Sequence, residues 1–202
     1  LIERSIKTAG MLRLTLSALL FLLPAMAAAQ DVTMSERREA DGTTTLAHEV
    51  ILPAPTAEVW AAISTPEGWR TWATPVSWVP ADDPDAIEGS YDPNARPGDT
   101  TLIRQHIIAR LPGRLYVFST VRAPEGFPHF ETYRRVVTFF ELEPVDATHT
   151  RVRLTGTGYA DSEAGRTLLG FFRGGNRISL EHLRQRFVSG PLDWAAIRAA
   201  QR

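Results

Sequence analysis

Residues 48–72 read HEVILPAPTAEVWAAISTPEGWRTW, and the way this stretch divides decides the fold. Its beginning closes a strand-like run, TTLAHEVIL at 44–52, rich in the β-branched residues that favour a pleated, half-buried surface. Pro53, Ala54 and Pro55 stop that strand, because proline cannot donate to a sheet ladder. The following TAEVWAAI at 56–63 consists of helix formers with Val59, Trp60 and Ile63 at helical spacing. Ser64-Thr65-Pro66-Glu67 then opens a second short helix, for which two caps are available. Either Ser64 and Glu67 form a capping box, or Thr65 is the cap and Pro66 occupies the first turn. The stretch is therefore a strand followed by two short helices meeting at a kink.

Downstream, the alternation predicts strands at 76–79, 100–110, 114–121, 132–143 and 150–159, with a short one around 88–91. Tight signals such as Leu111-Pro112-Gly113 join several of them, which implies an antiparallel meander. A long helix is predicted over 162–188, where Leu169, Phe172, Asn176, Leu180, Leu183 and Phe187 form one continuous stripe. The order of elements implies an α+β fold: a curved antiparallel sheet wrapped around a long C-terminal helix, with two short helices after the first strand.

Upstream, residues 30–43 are polar and read as a loose lead-in. From Met11 the chain runs MLRLTLSALLFLLPAMAAAQ, with a basic start at Arg13, an apolar run at 14–23, Pro24 and then small residues. This is the layout of a secretory signal peptide, and the run is about half of the roughly 20 residues a membrane-spanning helix needs. Ala27-Ala28-Ala29 offers the cleavage site, with Ala25-Met26-Ala27 as the alternative, and the residues before Met11 read as an over-called start. Expected, then, are a start plus signal peptide at 1–29, the lead-in at 30–43, one domain at 44–190 and a short tail at 191–202 that can be helical. The expected location is exported, periplasmic or secreted, without a stable membrane span after cleavage; an N-terminal anchor left uncleaved is the alternative.

The chain has 202 residues, 44% hydrophobic and 22% charged, with a formal charge of -1, the profile of one ordinary globular domain. It has no cysteine, which excludes disulfides, thiolate nucleophiles and cysteine metal sites. Lys7, the only lysine, falls in the leader, so a lysine Schiff base is excluded from the mature domain. Removal of 1–29 takes away Arg4, Lys7, Arg13 and Glu3, and the remaining charge of about -3 gives no reason to expect nucleic-acid binding. His48, His106, His129, His149 and His182 lack the local spacing of a metal site, and neither a G-x-S-x-G elbow nor a glycine-rich phosphate loop is present. No metal or cofactor is expected, and no catalytic residue can be named.

Period-two alternation sorts the strand faces. Val152 and Leu154 point inward while Arg151 and Arg153 face water; Val136, Thr138, Phe140 and Leu142 share an inner face opposite Glu141 and Glu143. In the strand at 100–110 the set Ile103, Gln105, Ile107 and Ala109 is more apolar than Leu102, Arg104, His106 and Ile108, which puts Gln105 inside and His106 outside. A register error of one residue would admit Arg104 and His106 instead. The expected interior thus holds isolated polar groups, Gln105, Thr138 and Asn176, with Ser119 beside them, and no His, Asp or Glu. Such groups either orient a ligand or satisfy one another in a filled core, since an unpaired one costs about 1–3 kcal/mol.

The segment 48–72, together with LPGRLYVF at 111–118, Glu-Leu-Glu-Pro at 141–144, TRVRLTGTGY at 150–159 and the Phe171-Phe172, Gly175-Asn176, Leu180 and Leu183 pattern, resembles the START-like superfamily, also called SRPBCC. The nearest likeness is to the branch named for homologues of the activator of the 90-kDa heat-shock protein ATPase, often grouped with polyketide cyclases. It spans 44–188, and its motifs define a fold rather than a reaction. What the resemblance implies is a helix-grip fold with a deep cavity between sheet and long helix, used in relatives for lipids, steroids and aromatic polyketides. The branch name implies co-chaperone action, but the export leader argues against a chaperone partner.

Trp72, Trp78 and Tyr91 lie in and after the second short helix, and Phe172 lies on the final one; each fits the rim of a hydrophobic site or plain core packing. The loop at 123–130, APEGFPHF, has the composition of a flap over an opening or of a surface hairpin. The first functional reading is an exported protein holding a small or medium hydrophobic molecule, with Gln105, Thr138 and Asn176 as polar contacts. A polyketide cyclase or aromatase-like enzyme using the same cavity is the second, and it needs a titratable group inside. A partner-binding module without ligand is the third, and it needs a filled core and an exposed apolar patch.

Overall fold

In the computed structural model, which describes residues 31–200, the strand read from 44–52 is β2 (Thr44–Leu52). Every second side chain along it, Leu46, His48, Val50 and Leu52, is buried. The expected leader at 1–29 lies outside the described residues. After Pro53 and Pro55 come α1 (Thr56–Ser64) and α2 (Pro66–Trp69). The second cap reading is the one adopted: Thr65 Oγ1 accepts from Gly68 N–H at 3.0 Å with Pro66 in the first turn, while the Ser64 hydroxyl donates back to Trp60 O at 2.7 Å. The kink is locked by two indoles. Trp69 Nε1–H donates to Ile63 O at 2.7 Å and Trp72 Nε1–H to Ala62 O at 2.9 Å, carbonyls that the end of a helix leaves without partners. Residue 68 must be glycine for this approach, since a Cβ there would overlap the Ala61 and Ala62 carbonyl oxygens.

The remaining strands are β3 (Val76–Trp78), β4 (Ala86–Ser90), β5 (Ile103–Leu111), β6 (Leu115–Arg122), β7 (Val137–Pro144) and β8 (Thr150–Tyr159). They form the expected antiparallel meander, closed by β2 pairing with β8, and the sheet order is β1-β2-β8-β7-β6-β5-β4-β3. The outermost strand, β1 (Thr33–Arg38), corrects the sequence reading of 30–43 as a loose lead-in. All six of its residues are exposed, so no hydrophobic alternation marks it. It is held by its backbone ladder to β2 and by Glu36 and Arg38, which pair with Arg173 and Asp161. Its charges also discourage further strand addition at this edge.

A second correction concerns 132–143. The strand begins only at Val137, because 130–133 forms a one-turn helix, α3 (Phe130–Tyr133), entered through His129 at φ 55°. Tertiary packing overrides strand propensity here: the turn stacks the Tyr133 ring on Phe172, with centroids 4.7 Å apart.

The long helix is α4 (Glu163–Ser189), capped by Ser162, whose Oγ accepts from Gly165 N–H at 3.1 Å. It crosses the inner face of the sheet and is fixed at two separate places. Leu168 and Leu169 join Leu46, Tyr133, Val136 and Tyr159 in one cluster; Leu180 and Leu183 join Val50, Leu52, Ile63, Phe140 and Leu154 in the larger one. The tail folds into α5 (Trp194–Ala199), so the arrangement is the α+β helix grip expected from the sequence.

His48, on β2 beneath α4, is 1% exposed. Its Nε2–H donates to Arg173 O at 3.1 Å while Nδ1 is buried without a partner. Burial holds its pKa below the ordinary imidazole value. Because the unfolded chain takes up that proton first, the contribution of His48 to stability is intact above about pH 6.5 and falls as the pH drops towards the folded-state value. Urea unfolding from about pH 8 down to about pH 5 is expected to show declining stability, and His48→Gln, which keeps a donor for Arg173 O, a shallower decline.

Candidate functional site: the cavity between sheet and helix

Between its two anchor points α4 turns Phe172, Gly175, Asn176 and Ser179 towards the sheet. Two of these are small, and the curved sheet does not reach them. The result is a cavity of about 570 Å³, within the ordinary size range of small-molecule sites. Its floor is sheet: Gln105 on β5, Phe118 and Thr120 on β6, Thr138 and Phe140 on β7 and Leu154 on β8. Trp69 and Trp72 of the bracket wall one side, and Trp194, Ile197 and Arg198 of α5 also line it. The loop at 123–130 also contributes. Phe127 packs on Tyr133 at 5.3 Å and edge-on to Phe171 at 5.9 Å, so an aromatic cluster ties the loop to α3 and α4 over the cavity.

One polar network crosses the floor. The Thr120 hydroxyl donates to Gln105 Oε1 at 2.9 Å and lies 3.1 Å from Tyr133 Oη. Burial pushes the Tyr133 phenol up to about 12, so it is a neutral hydroxyl at physiological pH. Tyr159 is pushed up by burial as well. On the helix side Ser179 Oγ donates to Gly175 O at 2.9 Å. His182, one turn further, has its pKa lowered, chiefly by burial, and lies edge-on to Trp194 at 6.1 Å.

Of the residues read from sequence as ligand contacts, Trp72, Tyr91, Gln105, Thr138, Phe172 and Asn176 line the cavity. Tyr91 sits at the rim, 61% exposed, and Asn176 is 9% exposed. Trp78 and Ser119 do not line it, which corrects both. Trp78 Nε1–H donates to Glu88 Oε2 at 3.1 Å on the other face of the sheet. Ser119 pairs with His106 across β5 and β6, and the buried members of β6 are Tyr116, Phe118 and Thr120, which leaves Ser119 on the opposite face. The register of β5 is the one with Gln105 inside. Arg104 Nε donates to Glu88 at 2.7 Å and its guanidinium meets Asp82 at 3.0 Å, while His106 Nδ1 lies 2.9 Å from Asp83; these side chains are outside the cavity.

Sequence reading missed Thr120, Tyr133, His182 and the α5 residues. Thr120 carried a usable signal, being two residues beyond Phe118. Tyr133 was hidden by the strand assignment, and His182 lies at the edge of the stripe defined by Leu180 and Leu183. Its position corrects the expectation that no histidine faces the interior. Among the described residues no cluster of three His, Asp or Glu side chains is disposed to hold a metal, and no helix is long and apolar enough to cross a membrane.

Comparison with known proteins gives a consistent result. The family described as polyketide cyclase / dehydrase and lipid transport matches residues 43–188. The solution structure of the Aha1 dimer from Colwellia psychrerythraea superposes with a TM-score of 0.55 at 16% identity, over 72% of this chain and 97% of that one. The solution structure of CalU16 from Micromonospora echinospora gives 0.54 at 20% identity, over 83% and 80%. The crystal structure of protein MLL2253 from Mesorhizobium loti gives 0.53 at 18%, over 80% and 99%. At these identities the likeness is one of fold. No curated protein matches the sequence.

Thr120→Val removes the central hydroxyl of the floor network without changing its shape. It should destabilise the fold by about 1–3 kcal/mol, because Gln105 and Tyr133 are left without that partner. Urea denaturation of the variant beside the parent measures this.

Proposed function

The chain belongs to the polyketide cyclase / dehydrase and lipid transport family, and from that premise we propose that it holds a small or medium hydrophobic molecule between the sheet and α4. The observation that carries this reading is the cavity itself, about 570 Å³ with Trp69, Trp72, Phe118, Phe140 and Phe172 in its walls. Aromatic walls supply a large apolar contact area, and a few fixed polar groups supply orientation. Gln105 on the sheet and Asn176 on α4 are among the polar groups that line it, with Thr138 beside them. A partner-binding module with no ligand would be expected to fill this space with side chains. The signal-peptide pattern at 1–29 supports the further proposal that binding takes place after export, which also disfavours a cytosolic chaperone partner.

One observation favours a second reading, a cyclase-like enzyme. His182 places an imidazole at the cavity, and burial lowers its pKa so that it is a neutral proton acceptor near pH 7. Native mass spectrometry with extraction of the bound molecule separates the two. A carrier retains one unaltered compound, whereas an enzyme converts a supplied substrate and loses turnover in His182→Phe.

Trp69, Trp72 and Trp194 line the cavity, so intrinsic fluorescence reports its occupancy. Titration with the neutral dye N-phenyl-1-naphthylamine is expected to be saturable. Thr138→Phe, which puts a ring into the space from β7, should weaken the dye by about tenfold or more. Non-saturable binding that ignores Thr138→Phe would sink the proposal.

A further inference from the structure

The charge balance of the cavity is one-sided. Among the described residues that line it Arg198 alone carries a permanent charge, and none is an aspartate or glutamate. Several other arginines of this protein meet carboxylates: Arg104 with Glu88 and Asp82, Arg153 with Glu49, Arg173 with Glu36. Arg198 differs. The residue is half-buried, and its Nη1 is fully buried with no hydrogen-bond partner among the described residues, a state that is costly for that N–H group because burial removes its water without supplying an acceptor.

Arg198 is not the loose end of a tail. Leu192, which is buried, donates its N–H to Thr71 O at 3.0 Å, and Trp194 Nε1–H donates to Arg70 O at 2.8 Å. Asp193 caps α5 by accepting from the N–H groups of Ala195 and Ala196, each at 3.0 Å. Trp194 and Ile197 pack against the main hydrophobic cluster, so the one-turn spacing from Trp194 to Arg198 fixes the guanidinium at the cavity wall. His182 stands against Trp194 at the same end. The opposite wall offers only the neutral Gln105, Thr120 and Tyr133 network.

We infer that the cavity selects amphipathic molecules bearing a carboxylate, which Arg198 receives at the α5 end while the apolar body lies among Trp72, Phe118 and Phe140. The inference rests on the reading that this cavity takes a hydrophobic molecule. A carboxylate suits the site because its two oxygens match the planar guanidinium fork, and because no lining acid repels it.

The test uses the full domain with lauric acid, at a pH where it is ionised, and 1-dodecanol, a pair matched in the apolar chain. Both are measured by displacement of N-phenyl-1-naphthylamine. Laurate should bind at least about tenfold more tightly than dodecanol, the scale of one charge-assisted hydrogen bond. Arg198→Gln should abolish that preference, and a circular dichroism spectrum and urea midpoint matching the parent's report that the variant is folded. Arg198→Lys should restore part of the preference. Equal binding of the pair to the parent, or a preference that survives Arg198→Gln, overturns the carboxylate inference while leaving the hydrophobic cavity standing. Failure of the dye and both ligands to bind overturns both.

Discussion

The two-point attachment of α4 is the constraint on which the rest of the molecule depends. Leu168 and Leu169 hold one end in a cluster with Tyr133, Val136 and Tyr159, and Leu180 and Leu183 hold the other against the bracket and the sheet. Between these clusters α4 meets the sheet along β1 and β2, where Arg173 pairs with Glu36 and its carbonyl accepts from His48, while the face turned towards β5, β6 and β7 borders the cavity. The chain then places Gly175, Asn176 and Ser179 where filling would need large side chains. Interiors normally fill such space, since a void forfeits dispersion contacts. Here the two clusters supply enough burial for the gap to persist.

The bracket of α1 and α2 makes that arrangement rigid at one end. Trp69 and Trp72 each turn an indole N–H to a terminal carbonyl of α1 and a ring face to the cavity, packing near Phe118 and Phe140 at 6.3 and 6.1 Å. A single side chain thus joins local capping to the wall of the site. Core packing and ligand contact, which sequence poses as alternatives for Trp72, are one role in the structure.

Charge is sorted by the faces of the sheet. On the side away from α4, the buried Glu88 is surrounded by Arg104, Trp78 and, at 3.9 Å, Arg122, while Arg151 and Arg153 pair with Glu143 and Glu49. Among the described residues the cavity lining keeps neutral hydrogen-bonding groups and one guanidinium, that of Arg198. That guanidinium comes from the tail rather than from the sheet.

The strand, the proline stop and the two helices at 48–72 are legible because each rests on local chemistry: β-branched alternation, missing N–H donors and a threonine cap. The inward faces of β5, β7 and β8 follow from period two, and the Gln105 register with them. Three things were not legible. β1 has no apolar alternation, because an edge strand held by backbone pairs needs none. Tyr133 reads as strand and is helical, because its ring finds Phe172 only once α4 is in place. Arg198 in a short tail carries no mark of a binding site. Sequence by itself determined the class of fold and which strand faces look inward, since both depend on residues within a few positions of one another. Only the tertiary structure decided that the Gly175–Asn176–Ser179 face of α4 borders a cavity and that the tail returns to line it, because the tail is placed by contacts between segments more than a hundred residues apart, such as Trp194 with Arg70.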